Sequence, residues 1–199
     1  KIKNFDNVCF LNIRGGEYKL HRDLILPKKY WVNAIKNMRS IRNNLEFKII
    51  TDDYNYAKNL FPNLEIIKGN IKDDFLNLYF AKYLILSNSS FAYFPVKMGS
   101  KPNNVIAPKN WARFGNKFNK WVGLSNYYSD WLWQDLNGTI IKAQSIENSI
   151  KKSYKEYSTY NVLTSEKISR GFKLKKLIPK NLKKILKKIF SRIFPLLIG

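Results

Sequence analysis

One cysteine, one histidine and 14 acidic residues are all that this 199-residue chain holds of those types, and no apolar run reaches 18 residues. Each scarcity excludes something. A lone Cys9 allows neither a disulfide framework nor a cysteine zinc site, and inside an apolar run it reads as a buried thiol. A lone His21, in the polar stretch Lys19–Asp23, reads as a solvated loop histidine rather than a catalytic one. Without a long apolar span no segment reads as a membrane-crossing helix, and no signal peptide is visible. The chain opens at Lys1, almost directly in a strand, and the expectation is the C-terminal part of a longer protein.

The shortage of acid is uneven. Lys and Arg number 36, giving a net charge of +22. Residues 1–166 hold 25 basic and all 14 acidic side chains; residues 167–199 hold 11 basic and none acidic. Such charge calls for an anionic partner: nucleotide, nucleic acid or anionic lipid. Hydrophobic residues make up 45% and aromatics 15%, enough for one domain with a proper core.

Apolar runs and helical stripes alternate along the first two thirds. Strands are expected at Val8–Ile13, Phe47–Ile50, Leu64–Ile67, Tyr83–Leu86 and Val105–Ala107, with a short one at Gly138–Ile141. Helices are expected after Pro27 (stripe Tyr30, Ala34, Ile35, Met38), over Tyr54–Phe61, over Asp73–Lys82 (Phe75, Leu78 and Tyr79 inward) and over Phe91–Met98. This order predicts an α/β fold, a Rossmann-like doubly wound, mostly parallel sheet. Residues 109–135, rich in Trp and Tyr, are expected to wrap back over it. The division read from the sequence is a nucleotide-sugar-binding domain over 1–141, a linker over 142–166 and a basic tail over 167–199.

Two turns after strands carry the candidate chemistry, because open α/β sheets bind nucleotides beyond their strand ends. Arg14 follows the first strand and precedes Gly15-Gly16. Its planar fork suits a diphosphate, and the glycines admit a ligand close to the backbone; a surface arginine in a turn is the plain alternative. Ser89 and Ser90 precede a helix, where capping and phosphate binding are compatible. Asp52-Asp53 end the second strand. One of the two is expected to cap the next helix, while a carboxylate here could also accept from guanine N–H groups or a ribose hydroxyl. Asp73-Asp74 read as another helix start.

Taken together, Asn12-Ile13-Arg14-Gly15-Gly16-Glu17-Tyr18, Thr51-Asp52-Asp53, Asn88-Ser89-Ser90-Phe91-Ala92-Tyr93-Phe94 and Ile106-Ala107-Pro108-Lys109-Asn110-Trp111 resemble the bacterial α-1,2-fucosyltransferase family (glycosyltransferase family 11). Leu26–Trp31 and Asp73-Asp74-Phe75 also fit, so that the resemblance covers about residues 5–113. It implies the C-terminal, GDP-fucose-binding half of a two-domain GT-B fold, an inverting reaction and no metal cofactor. Arg14 matches the arginine on the donor diphosphate. Asp52 or Asp53, Ser89, Ser90 and Phe91 match positions around the guanosine and phosphates, and Asn12, Gly16, Asp52, Asp53, Ser89, Ser90 and Phe91 are the binding candidates. The chain departs from the pattern at Asn12 (histidine in the family), Gly15 (a second arginine) and Glu17 (aspartate). Arg14 and Glu17 are the catalytic candidates, Arg14 offsetting leaving-group charge and Glu17 as local proton acceptor.

Residues 180–194 form an amphipathic pattern: Leu182, Ile185, Leu186, Ile189 and Ile193 share one helix face and Lys184, Lys187, Lys188 and Arg192 the other. Such a helix lies in the interface of an anionic bilayer. No nucleic-acid-binding motif accompanies it. The sequence thus points to a cytoplasmic enzyme, peripheral on the inner face of a bacterial membrane, joining a nucleotide sugar to a glycan or lipid-linked acceptor. A glycosyltransferase for another nucleotide sugar, or a non-catalytic basic module for anionic lipid or nucleic acid, are the other readings.

Overall fold

The computed structural model describes residues 5–20, 24–99, 104–109 and 128–141, together with 145, 146, 148 and 151. All fall within the first of two units, Lys1–Tyr154. The expected tail over 167–199, His21 and most of the expected linker lie outside the described residues.

Seven strands form one sheet: β1 (Val8–Ile13), β2 (Glu46–Thr51), β3 (Glu65–Ile66), β4 (Tyr83–Ile85), β5 (Asn104–Pro108), β6 (Leu132–Gln134) and β7 (Ile140–Ile141). Their order is β3-β2-β1-β4-β5-β6-β7. Every pairing is parallel except β6 with β7. The chain builds outward from β1 in one direction, then returns to β1's other side. The strand order therefore reverses between β1 and β4, which is where such sheets open a crevice.

β1 is buried at five of its six residues because helices cover both faces. Cys9, Leu11 and Ile13 face helices α1 (Lys28–Ile41) and α2 (Tyr54–Leu60); Phe10 faces α3 (Ile71–Phe80) and α4 (Ser90–Met98). Burial pushes the Cys9 thiol pKa far up, so it stays an inert packing group.

Helix starts follow local capping chemistry. Asp53 caps α2 by accepting from Tyr56 N–H at 3.0 Å, and Ser89 caps α4 by accepting from Phe91 N–H at 3.2 Å. α3 differs from expectation. Its cap is Asn70, which accepts from Asp73 N–H at 3.0 Å, so Asp73 and Asp74 stand inside the first turn. The exposed Asp73 favours the helix start through its dipole instead. Inward burial on α3 falls on Asn77 and Leu78, with Phe75 and Tyr79 only partly buried. On α1, Trp31 joins Tyr30, Ala34 and Met38 in the core, and Ile35 is only partly covered.

Of the aromatic stretch, residues 110–127 lie outside the described residues, and its described end departs from the expectation. Leu132–Gln134 does not wrap the domain; it extends the sheet beside β5. Trp133 is fully buried on the α3–α4 face, and Gln134 points to the other face. There Gln134 donates to the Tyr30 carbonyl at 3.0 Å and accepts from Asn37 at 2.8 Å, which satisfies its buried amide. A turn at Asp135–Gly138 then leads into β7. Gly138 has φ +96°, a conformation that glycine adopts without steric cost. Ile146, past the expected domain edge, is buried in the same layer as Trp133.

Candidate functional site

Register brings the first two turns together. Ile13 pairs with Thr51, so both strands end level and release their turns side by side. The Asp52 carboxylate then bridges them. Its Oδ1 accepts from Gly15 N–H at 2.9 Å and its Oδ2 lies 3.3 Å from Arg14 Nη2. The Arg14 guanidinium sits 5.6 Å from the Tyr18 ring and 6.0 Å from the Phe91 ring, within cation–π range. Tyr18 hydroxyl donates to the Asn88 carbonyl at 3.4 Å, tying the first turn to the loop after β4. Arg14 is therefore held by a carboxylate and two rings rather than left free in solvent.

Both glycines are tightly enclosed. A Cβ on Gly15 would stand 2.7 Å from the Tyr56 ring and 2.8 Å from Asp53 Cβ. One on Gly16 would stand 2.5 Å from Asp52 Oδ2. The turn accepts no side chain at either place while Asp52, Asp53 and Tyr56 keep their positions.

A cleft of about 830 Å³ opens beyond these strand ends. Asn12 and Arg14 line it from β1, and Ile50, Thr51 and Asp52 from β2. The approach to α3 and its first turn give Gly69, Asn70, Ile71, Lys72 and Asp74, and α4 gives Phe91. Asn12 is nearly fully buried, and its Oδ1 accepts from Ser87 Oγ at 2.9 Å.

Of the residues singled out in the sequence, Asn12, Arg14, Asp52 and Phe91 thus share one cavity, with Gly16 against Asp52. Asp53 is occupied elsewhere: it caps α2 and pairs with Lys19. The Lys19 contact and then the Tyr56 N–H hold its carboxyl below the usual range. Ser89 is buried as the α4 cap, Ser90 is exposed, and neither lines the cleft. Glu17 stands exposed in the 3₁₀ turn Glu17–Leu20, also outside the lining.

Two lining residues were not legible as site residues. Asp74 read only as a helix start, yet its Oδ1 is buried without a hydrogen-bond partner. Burial, then the neighbouring Asp73 charge, raises its pKa above the ordinary aspartate value. Lys72 carried no motif at all. Asn88 and Arg14 also have buried polar atoms without partners: both amide atoms of Asn88, and Arg14 Nε. Among the described residues no group of three or more His, Cys, Asp or Glu is placed to hold a metal ion.

No protein-family model matches the chain. It is similar to an alpha-1,2-colitosyltransferase of Escherichia coli, 27% identical over 121 residues, covering 53% of this chain and 41% of that protein. The chain thus spans less than half the length of that relative. Among solved structures it is similar to E. coli heptosyltransferase WaaC with ADP, at 11% identity and a TM-score of 0.47, covering 75% of this chain and 45% of that one.

Proposed function

We propose that the cleft beyond β1 and β2 binds the nucleotide diphosphate of an activated sugar, and that the chain is the donor-binding half of a glycosyltransferase of GT-B type. The observation that carries this reading is Arg14: a guanidinium fixed by Asp52 and two rings, at the sheet edge where strand order reverses, in a cleft large enough for a nucleotide. Likeness to a glycosyltransferase over half the chain supports it.

In this reading an acceptor hydroxyl attacks the anomeric carbon with inversion as the nucleoside diphosphate departs. The transition state is oxocarbenium-like, and its stability depends on offsetting charge that grows on the leaving oxygen. Arg14 stands where it can offset part of that charge, and the reaction we propose uses no metal, as the fucosyltransferase resemblance implies. The unpartnered oxygen of Asp74 is an acceptor for a base N–H or a ribose hydroxyl. Asn12, with its oxygen engaged by Ser87, can present its amide N–H groups to the cleft. GDP-fucose is the donor we assign, with nucleotide-activated colitose as the second sugar to try. Glu17 remains our local candidate for accepting the acceptor's proton. The acceptor is a cell-surface glycan or its lipid-linked precursor, and residues 167–199 place the enzyme on the anionic inner face of the bacterial membrane.

Calorimetry tests the core of this. GDP should bind the whole chain, and Arg14→Ala should weaken it by about ten- to a hundredfold, the loss of a charge-assisted contact worth roughly 1.5–3 kcal/mol. A chain that ignores GDP yet keeps its affinity for anionic vesicles or RNA is a binding module instead. Removing residues 167–199 should abolish sedimentation with anionic vesicles and spare nucleotide binding; retained sedimentation sinks the membrane assignment.

A further inference from the structure

The cleft is short of positive charge for a diphosphate, and one residue on its far wall corrects the deficit. Arg14 is already paired with Asp52 at 3.3 Å, so much of its field is cancelled before any ligand arrives. Asp74 brings a second carboxyl to the lining. The turn after Arg14 offers no further cation, because Gly15 and Gly16 are each closed by atoms under 3 Å from where a Cβ would stand. Lys19, just beyond, is spent on Asp53. Among the described lining residues, what is left is Lys72, in the first turn of α3. It lines the same cleft, is exposed, and makes no ion pair among the described residues. Without it the described lining would set one cation against two carboxylates.

We infer that Lys72 is the second diphosphate-binding cation of this site, reaching across the cleft to the phosphate that Arg14 meets from the β1 side. The inference rests on the nucleotide-sugar reading of the cleft and assigns a residue within it. A lysine suits the task. It is a point charge on a long flexible stem with three donors, so it follows a phosphate oxygen without the fixed geometry that Arg14 supplies. It also explains how the site tolerates glycine after Arg14: the second charge comes from a different element.

The experiment is a nucleotide ladder on the whole chain. GDP, GMP and guanosine are titrated calorimetrically into the wild type, Lys72→Met and Lys72→Arg at two salt concentrations. Lys72→Met should lower GDP affinity by about tenfold, the scale of one phosphate contact, and leave guanosine unchanged. GMP should fall between them, Lys72→Arg should keep most of the GDP affinity, and the salt dependence of GDP binding should flatten in Lys72→Met. Equal loss for guanosine and GDP would put Lys72 on the nucleoside and overturn the inference. No loss for GDP would do the same while leaving the nucleotide site standing. If the wild type binds none of the three, the parent reading fails and the role of Lys72 falls with it. Unchanged thermal unfolding of both variants separates these outcomes from misfolding, since Lys72 is exposed.

Discussion

Arg14 and Asp52 meet at 3.3 Å across the ends of two adjacent parallel strands, and the same carboxylate accepts the Gly15 N–H at 2.9 Å. One side chain therefore fixes both the shape of the turn and the direction of its arginine. Each side chain is about a fifth exposed, so the cost of taking the two charges out of water offsets much of their attraction. Its value lies in orientation.

Asp52→Ala leaves Gly15 N–H without its acceptor and frees Arg14. Urea unfolding should show a loss of about 1–2 kcal/mol. GDP binding should weaken by less than in Arg14→Ala, because the unanchored guanidinium loses its preorganisation while its charge is no longer offset by a carboxylate. Asp52→Asn keeps an oxygen for Gly15 and should recover most of the stability but not the affinity. Equal nucleotide binding in all three would show that Asp52 does not position Arg14.

Gly15→Ala places a methyl group 2.7 Å from the Tyr56 ring. Overpacking of this kind costs roughly 1–3 kcal/mol. The cost should shrink in a Tyr56→Ala background, and a double-mutant cycle measures the coupling. Additive effects would mean that the turn relaxes without touching Tyr56.

Asp74 makes stability depend on pH with a definite sign. Its folded pKa is raised by burial and by Asp73, so the folded state holds the proton more tightly than the unfolded chain does. Its contribution to stability should fall as pH rises from the ordinary aspartate range through the raised value, and stay unfavourable above it. Asp74→Asn should therefore be more stable than wild type at neutral pH, with the gain vanishing in acid. Asp53 behaves oppositely: its lowered pKa favours the folded state at neutral pH, and that stability is lost as pH falls through the folded value. Chemical unfolding of both asparagine variants from pH 3 to 8 checks the two slopes.

Trp133→Ala empties a fully buried site where β6 joins the α3–α4 face. A loss of about 3–5 kcal/mol is expected by denaturant unfolding, the range for a large aromatic in a core. A loss below about 1 kcal/mol, the level of a surface change, would place that strand outside the cooperative fold.

Much of the architecture was written locally. The run Val8–Ile13 is apolar on both faces and could only be a central strand. Asp53 and Ser89 stand where a helix start needs a short acceptor, and they cap. Arg14 stood out because a planar cation before two glycines at a strand end suits a diphosphate, with a surface arginine in a turn as the plain alternative; the structure sets it in the cleft, paired with Asp52. The short alternation of Leu132–Gln134 amid tryptophans was not legible: three residues carry too little periodicity to separate a strand from a wrapping loop.

By itself, then, the sequence determined every described strand but β6, the four α-helices, where most of them begin, and which arginine stands at the first turn, since all of these depend on neighbours a few residues away. Only the tertiary structure decided what those residues meet. Asp52 reaches Gly15 from 37 residues away because β1 and β2 pair in parallel and end level. Lys72 and Asp74 enter the cleft because α3 crosses behind the sheet and begins beside those same strand ends. Such meetings are set by strand order and register, which long-range packing fixes and no local pattern encodes.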